Sequence, residues 1–378
     1  GRISDMENHP TNPMIIYAGS AGGGVWKSND AGTTFYPIFD DHIQSIGALE
    51  LDPNDPDNTI YVGTGEPWPR NSVSIGDGLY KSTDGGNNWN TITNNQTNGG
   101  KIDEIAVSKS NPSVLYFSDG PSLYKTSDGG SNWSNISNGL PYKTIKYIAI
   151  HPNDPGKVWV VFSGYTSGEK VYKTLDGGSN WQNYSGTLPN IPVNTIVLDE
   201  NSGAETLYIG TDLGVFIRDN TATDWSNFNN ASLPNVIVSE LEIQYQSNKL
   251  IAATYGRGLW SIDLQITSPP SANFFASDSV FCNIPTTVDF TNTSFYSNSY
   301  YWDFGDGNTS TSTNPSHTYT SFGTYTVSLI ATGPLGTDSI VAQSLIDIDA
   351  NEVVIQKIPK APNGKKIKNV EVFINLKN

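Results

Sequence analysis

The chain has 378 residues, enough for two or three ordinary domains. Gly (36) and Pro (22) are abundant and aromatic residues make up 11% of the chain, a composition typical of many short strands joined by tight turns. The net charge of −16 would repel nucleic acid over most of the surface. No apolar run approaches the roughly 18–20 residues of a membrane-spanning helix. Cys282 is the only cysteine, which excludes an intrachain disulfide.

The N-terminus carries no visible signal peptide and starts with Gly1 rather than Met. We therefore expect a mature or trimmed product. The shortage of cysteine is compatible with a secreted bacterial protein, because a large β core does not need disulfides.

One short pattern, Ser/Thr-x-Asp-x-Gly-x-x-Trp/Phe, recurs along the first two-thirds of the chain. In such a segment the Asp carboxylate can accept backbone N–H groups across a turn, and the aromatic ring can fold back over that turn. We therefore assign structural roles to the aspartates and aromatic residues of the four copies, which are Asp30, Asp84, Asp128, Asp176, Phe35, Trp89, Trp133 and Trp181. We expect the four aromatic side chains to be largely buried at equivalent places in successive blades. A degenerate fifth copy runs from Asp219 to Trp225.

Each copy occupies the same place in a longer unit of three alternating strands, the motif and a short fourth strand. One four-stranded propeller blade takes about 40–50 residues, so these units predict a β-propeller over residues 1–266. Six visible units begin near Ile3, Ile46, Ile105, Ile148, Ile196 and Ile243. The sixth unit stops after its third strand. We expect residues before Gly1, a partner chain or a rearranged N-terminus to cover the strand containing Leu259 and Trp260, and the full protein to hold six or seven blades.

The four copies resemble the Asp-box, or BNR repeat, of sialidases, sortilin-type propellers and xyloglucanase-like glycoside hydrolases. The segment GRISDMENHPTNPMIIYAGSAGGGVWKS resembles secreted bacterial sortilin-like proteins. The resemblance implies an all-β fold with an Asp-box β-propeller, but a fold does not fix a function. The architecture also resembles proteins exported by the type 9 secretion system of Bacteroidetes, which implies an extracellular or cell-surface location.

A second domain follows the Pro/Ser linker at residues 267–271. Residues 272–350 contain the elements WDFGDG, HTY and GTYTV, which closely resemble the polycystic-kidney-disease (PKD) domain, an immunoglobulin-like β-sandwich. The resemblance implies that Trp302, Phe304 and Tyr319 pack between two sheets. Residues 351–378 alternate in a way that resembles the opening of the P-domain of secreted proteases, so we expect the start of a further β domain there.

Catalysis is not favoured by the residues at the expected positions. The chain has four arginines and lacks the usual arginine signature of a sialidase. The xyloglucanase resemblance places Ala21 where one of two catalytic aspartates would stand, and glycoside hydrolysis normally needs a paired acid and base. Asp212, in the segment GTDLGVF, is a weak catalytic candidate, with an ordinary turn residue as the alternative.

The insert at residues 65–78 contains candidate ligand-binding residues Glu66, Trp68 and Arg70. An aromatic ring between prolines on a propeller loop could stack on a sugar or a peptide, or could pack on its own blade.

An acidic turn offers weak candidates for Ca²⁺, which takes six to eight oxygen ligands: Asp52, Asn54, Asp55 and Asp57. A solvated turn is the alternative. No other cofactor is expected.

Ser279 and Ser339 are glycosylation candidates, because each lies in an Asp-Ser-aliphatic sequence that resembles the O-glycosylation sequence of Bacteroidetes.

Together these features predict a secreted or cell-surface modular binding protein, with a propeller that recognises a glycan or a protein and a PKD spacer. The alternatives are a propeller-type glycoside hydrolase and an accessory region of a larger secreted protease, whose other domains or chains would then be partners. Two carboxylates facing each other across the central cleft, about 5–10 Å apart, would favour the hydrolase.

Overall fold

The computed structural model describes residues 2–66, 75–93, 100–229 and 233–349. Trp68, Arg70 and residues 351–378 therefore lie outside the described residues. The chain divides into two compact units, Gly1–Pro269 and Pro270–Asn378. The described parts consist of strands and turns, apart from a 3-10 turn at Tyr245–Ser247.

The first unit contains six antiparallel sheets, in each of which the strands pair in chain order. Blade 1 consists of β1 Ile3–Asn8, β2 Ile16–Ser20, β3 Gly24–Ser28 and β4 Tyr36–Pro37. Blade 2 consists of β5 Ile46–Leu51, β6 Ile60–Thr64, β7 Leu79–Ser82 and β8 Asn90–Thr91. Blade 3 consists of β9 Glu104–Val107, β10 Leu115–Asp119, β11 Ser122–Thr126 and β12 Ser134–Asn135.

The remaining blades follow the same order. Blade 4 consists of β13 Ile145–His151, β14 Asp154–Phe162, β15 Val171–Thr174 and β16 Gln182–Asn183. Blade 5 consists of β17 Val193–Leu198, β18 Leu207–Thr211, β19 Gly214–Arg218 and β20 Ser226–Asn227. Blade 6 has three strands in the described residues, β21 Val238–Gln244, β22 Lys249–Thr254 and β23 Gly258–Asp263.

Successive blades pack face to face through five apolar clusters, one at each junction from blades 1 and 2 to blades 5 and 6. The junctions are close. A Cβ atom added at Gly19 would lie 2.8 Å from Cγ2 of Ile46, so the absence of a side chain lets β5 approach β2. This repeated packing explains why the second strand of a blade is apolar and fully buried, as at Ile60–Thr64.

The first strands lie side by side in the order β1, β5, β9, β13, β17 and β21. They surround a central channel, as the blades of a propeller do. Five four-stranded meanders and one three-stranded meander around a common channel confirm the predicted fold class. Within the described residues, no packing of comparable extent joins β21 back to β1.

The third strand of blade 6 pairs with β22 on one side, and no described strand pairs with its other side. Leu259 on this strand is 74% exposed. The strand expected to cover Leu259 and Trp260 is therefore not among the described residues, and its existence stays a prediction.

The second unit is a sandwich of two sheets. One sheet contains β24 Phe274–Ala276, β26 Thr286–Asn292 and β29 Ser316–Tyr319. The other contains β25 Val280–Phe281, β27 Ser299–Asp303, β28 Thr309–Ser310, β30 Gly323–Gly333 and β31 Gly336–Ile348. Trp302, Phe304 and Tyr319 are buried in one core cluster between the sheets, as the PKD resemblance implies.

Candidate functional site

The meander of each blade places two kinds of connection on the same face of the ring. These are the turns between second and third strands and the segments that lead from one blade to the next. We call this side the loop face. Its turns between second and third strands lie, in the described residues, at 21–23, 65–66, 75–78, 120–121, 163–170, 212–213 and 255–257. The opposite side carries the Asp-box turns. Loops on one face of a rigid scaffold commonly form binding sites.

Three tyrosines on the loop face are strongly exposed. Tyr142 lies in the segment from blade 3 to blade 4, Tyr165 in a turn of blade 4 and Tyr255 in a turn of blade 6. Their side chains are between 70% and 93% exposed, and Leu213 on blade 5 is also exposed. Exposed rings with a polar hydroxyl suit the apolar faces and hydroxyl groups of a sugar.

Asp212 lies beside one of these rings. Its Oδ2 atom accepts a hydrogen bond of 3.2 Å from the Tyr165 hydroxyl, and its Oδ1 atom accepts one of 3.1 Å from Asn194 Nδ2. The negative charge of Asp212 raises the pKa of Tyr165. Its hydrogen-bond partners in the described residues are a phenol and an amide, and no carboxylate is among them.

The turn that carries Tyr165 is anchored by a buried lysine. Lys170 Nζ donates a hydrogen bond of 2.5 Å to the carbonyl oxygen of Gly164, next to Tyr165. Lys170 is 1% exposed, and this burial lowers its pKa. An ion pair between Lys143 and Glu169 lies beside it. Asn190 Nδ2 donates a hydrogen bond of 3.0 Å to the backbone oxygen of Tyr165. The turn that carries the Tyr165 ring is therefore braced by hydrogen bonds on both sides of the residue.

Glu66, one of the predicted ligand-binding residues, is buried and forms an ion pair with Arg2. This pair ties the start of the chain to the turn of blade 2. Trp68 and Arg70 lie outside the described residues, so their role in binding stays a prediction.

The acidic turn predicted as a Ca²⁺ site is held by its own hydrogen bonds. Asp52 Oδ1 accepts from the backbone N–H of Asn54, and Asp55 accepts from two side chains within the same turn. Asp57 Oδ1 lies 3.3 Å from His9 Nε2. Across the part of the chain that the structure describes, no three His, Cys, Asp or Glu side chains are grouped so that they could hold a metal ion. Calcium binding stays an untested prediction.

The central channel holds carboxylates that our sequence analysis did not single out. By strand register they form two rows on the channel-facing positions of the first strands. One row contains Asp5, Glu104 and Glu240, and the other contains Glu7, Glu50 and Glu242. A cavity of about 200 Å³ lies along Glu50, Glu104 and Glu242.

Burial raises the pKa of every one of these six carboxyl groups. The pKa of Asp5 rises to about 6 and that of Glu240 to about 7. The pKa values of Glu7, Glu50 and Glu104 are raised well above the usual range, first by burial and then by the neighbouring carboxylates. Burial followed by the charge of Asp5 raises the pKa of Glu242.

Two lysines, Lys109 and Lys146 on β13, lie near these six carboxylates; burial lowers the pKa of Lys146, and the charges of Asp103 and Glu104 oppose that shift. Tyr147 on β13 occupies the channel position of blade 4, and Thr195 on β17 occupies that of blade 5. The Thr195 hydroxyl donates to Glu240 at 2.7 Å. Lys109, at the mouth of the cavity, lowers the pKa of Glu50 and Glu242, although it is ion-paired with Glu200. The channel is therefore an acidic environment.

The Asp-box residues take the structural roles expected for them. In each of the four copies the Asp carboxylate accepts hydrogen bonds from the hydroxyl two residues before it and from the backbone N–H four residues after it. The side chain of the residue four places later also donates to each carboxylate, and this bond together with the other two lowers the pKa of the four aspartates, to about 2 for Asp128 and Asp176.

The tryptophans of the motif tie each blade to the blade before it. Trp133 Nε1 donates a hydrogen bond of 2.7 Å to the carbonyl oxygen of Ile92, directly after the fourth strand of blade 2. Trp89, Trp181 and the degenerate copy's Trp225 make the same bond to the equivalent residue of the preceding blade.

Phe35 departs from this pattern. It occupies the same motif position in blade 1 and was expected to be buried, but it is 39% exposed, whereas Trp133 is buried and Trp89 and Trp181 are half-buried. The physical reason is that no described blade precedes blade 1, so the described residues lack the preceding-blade segment against which the tryptophans pack.

The glycosylation candidates lie in the second unit. Ser339 is exposed on β31 and Ser279 is half-buried before β25. Modification of either serine stays a prediction.

Comparison with known proteins supports the two fold assignments. Residues 267–346 match the family described as "PKD domain", and residues 77–188 match the family described as "Sortilin, neurotensin receptor 3". A xyloglucanase of Paenibacillus sp. is 30% identical over 118 residues, which are 27% of this chain and 11% of the xyloglucanase.

Solved structures extend the fold similarity to 90% of the chain. The crystal structure of an ancestral GH74 enzyme has a TM-score of 0.52 at 15% identity, covering 90% of this chain and 62% of that enzyme. The PKD1 domain of the Vibrio cholerae metalloprotease PrtV is 34% identical over 22% of this chain and 99% of that domain, with a TM-score of 0.19. The chain thus spans less than two-thirds of the xyloglucanase and of the GH74 enzyme, and the latter similarity concerns the fold alone.

No helix in the described ranges is long and apolar enough to cross a membrane.

Proposed function

We propose that this chain belongs to a secreted or cell-surface protein whose propeller binds a glycan through its loop face, with the PKD domain as a spacer. The observation that carries the proposal is the set of three exposed tyrosines on that face, one of which is held by Asp212 and by a braced turn. Sortilin-like and PKD domains are typical of extracellular proteins, which supports the location. The resemblance to Bacteroidetes type 9 secretion proteins supports a bacterial surface.

The exposed tyrosine rings favour glycan binding over glycan hydrolysis, because a ring can stack on a sugar without taking part in a reaction. Asp212 can accept a hydrogen bond from a sugar hydroxyl next to Tyr165, and its charge is already stabilised by Asn194. A protein ligand is the other outcome of the test below, since exposed aromatic residues also occur at protein interfaces.

A glycan array followed by titration calorimetry tests the proposal. We expect Tyr165→Ala and Tyr255→Ala to weaken glycan binding at least tenfold. Tyr36→Ala is the matched control, because Tyr36 is an exposed tyrosine on β4, away from the loop face. Binding that is unchanged by the first two variants, or lost equally in the control, would contradict the assignment of the loop face.

A glycoside hydrolase is the second candidate, favoured by the similarity to the Paenibacillus xyloglucanase. Incubation with β-glucans, xyloglucan and sialosides, followed by a reducing-sugar assay, separates the two. We expect no released sugar, because Ala21 occupies one of the two expected acid positions, and both oxygens of Asp212 already accept hydrogen bonds from Tyr165 and Asn194. Turnover that disappears in Asp212→Asn would replace binding with hydrolysis.

A further inference from the structure

Four of the five blade junctions are built from the same three apolar positions, and the junction of blades 2 and 3 shares two of them. Two lie on the first strand of the following blade. In blades 2, 4, 5 and 6 the earlier position holds Ile46, Ile145, Val193 and Val238, and the later position in blades 2 to 6 holds Leu49, Ile105, Ile148, Ile196 and Leu241. The third position lies on the third strand of the preceding blade and holds Val25, Leu79, Leu123, Val171 and Val215. All fourteen side chains are at most 3% exposed.

The same positions exist at both ends of the row of blades, and there they are open. In blade 1 the two first-strand positions hold Ile3 and Met6, which are 48% and 53% exposed. In blade 6 the third-strand position holds Leu259, which is 74% exposed. The sequence therefore supplies apolar side chains for a junction on each side, although no described residue completes either junction.

We propose that these two faces are the walls of a slot that one further blade of the same repeat fills, supplied by polypeptide that precedes β1. The face of β1 carries the first-strand positions through which a blade contacts the blade before it. The face of β23 carries the third-strand position through which a blade contacts the blade after it. A four-stranded blade has one face that fits β1 and another that fits β23. Its two contacts would therefore repeat the kind of junction that the propeller already contains five times.

The Asp-box of blade 1 supports this occupant independently. In the later copies the aromatic residue packs against the segment after the fourth strand of the preceding blade. Phe35 has that position and is 39% exposed. An inserted blade would end with such a segment and would cover the ring.

A single added strand fits these observations less well. It would pair with the open edge of β23 and satisfy its backbone groups. It would leave Ile3, Met6 and Phe35 exposed on the other wall of the slot, because these side chains belong to blade 1. The three exposed positions therefore distinguish a whole blade from a closing strand.

Cysteine labelling of the natural full-length gene product tests the slot. With the exposed Cys282 changed to Ser, single variants Met6→Cys and Leu259→Cys are treated with a maleimide. Leu175→Cys is the control, because Leu175 is 61% exposed in an Asp-box turn outside the slot. We expect both slot cysteines to react at least tenfold more slowly than the control. Ile3→Cys reports on the same wall as Met6 if that variant does not fold.

The other outcomes overturn the proposal in distinguishable ways. Labelling of both slot cysteines at the control rate would show an open slot, and protection of Leu259→Cys alone would show a closing strand. Protection that depends on protein concentration would show a second copy of the chain. A disulfide in the double variant Met6→Cys/Leu259→Cys would show that the two walls meet directly, since a disulfide needs Cα atoms within about 7 Å.

Discussion

The carboxylates of the central channel make the stability of the propeller depend on pH. Glu240 is the clearest case. Burial raises its pKa from 4.5 to about 7, while hydrogen bonds from Thr195 and from the backbone N–H of Leu241 oppose the rise. Because the folded-state pKa lies above the unfolded-state pKa, the folded protein binds this proton more tightly. The stabilising contribution of the protonated group is complete below about pH 4.5 and is lost as the pH rises to about 7.

The size of the effect follows from the shift. Each pKa unit corresponds to about 1.4 kcal/mol, so the shift of Glu240 corresponds to roughly 3 kcal/mol between pH 4 and pH 8. Glu240→Gln removes the charge and keeps an oxygen that can accept both hydrogen bonds. We expect the variant to be more stable than the parent by about 2–3 kcal/mol at pH 8, with little difference near pH 4.

Denaturant unfolding between pH 4 and pH 8, followed by tryptophan fluorescence, measures this difference. Eight of the nine tryptophans lie in residues 1–269, so the signal reports on the propeller. Asp41→Asn, at an exposed position, is the control and should leave the pH dependence unchanged. A Glu240→Gln variant with the same pH dependence as the parent, or with lower stability at pH 8, would refute the assignment of a buried channel carboxyl group.

Three further predictions concern other parts of the chain. Trp133→Ala should destabilise the propeller by about 3–5 kcal/mol, because the lost ring leaves a cavity. Phe35→Ala, at the exposed copy of the motif, should lower the stability of residues 1–378 by about 1 kcal/mol. Equal losses of stability in denaturant unfolding would contradict the role of the ring at the junction. Lys170→Met should increase protease cleavage in the turn at residues 163–170, because the bond that anchors Gly164 is lost, and unchanged cleavage would show that the turn does not need it. Mass spectrometry of native protein should find glycan mass on Ser279 or Ser339, and unmodified peptides covering both would remove this prediction.

Much of the fold could be predicted from the sequence because its signals are local. The Asp-box needs only eight consecutive residues to form its hydrogen bonds, so Asp128 and Trp133 could be placed before any tertiary structure was known. Trp302 and Tyr319 could be placed in a core because the PKD elements are distinctive.

The channel and the ion pairs could not be predicted in the same way, because they bring together residues far apart in the chain. Glu66 was a ligand-binding candidate in the sequence, but it pairs with Arg2, which lies 64 residues away. Glu50 and Glu242 belong to strands almost 200 residues apart, and they share one channel only because the first strands of the six blades lie around it. Only superposition of the repeat units would have shown that acids recur at the same two strand positions. Phe35 was misjudged for a related reason, since its burial depends on a neighbouring blade rather than on its own turn.

The tryptophan bonds between blades also bear on how the protein is made. Each indole N–H reaches backwards to a carbonyl oxygen of the blade synthesised just before it. A new blade therefore finds its docking partner already present when its own motif leaves the ribosome. Since the strands of each blade pair with their chain neighbours, the propeller can be assembled in the order of translation, one blade at a time.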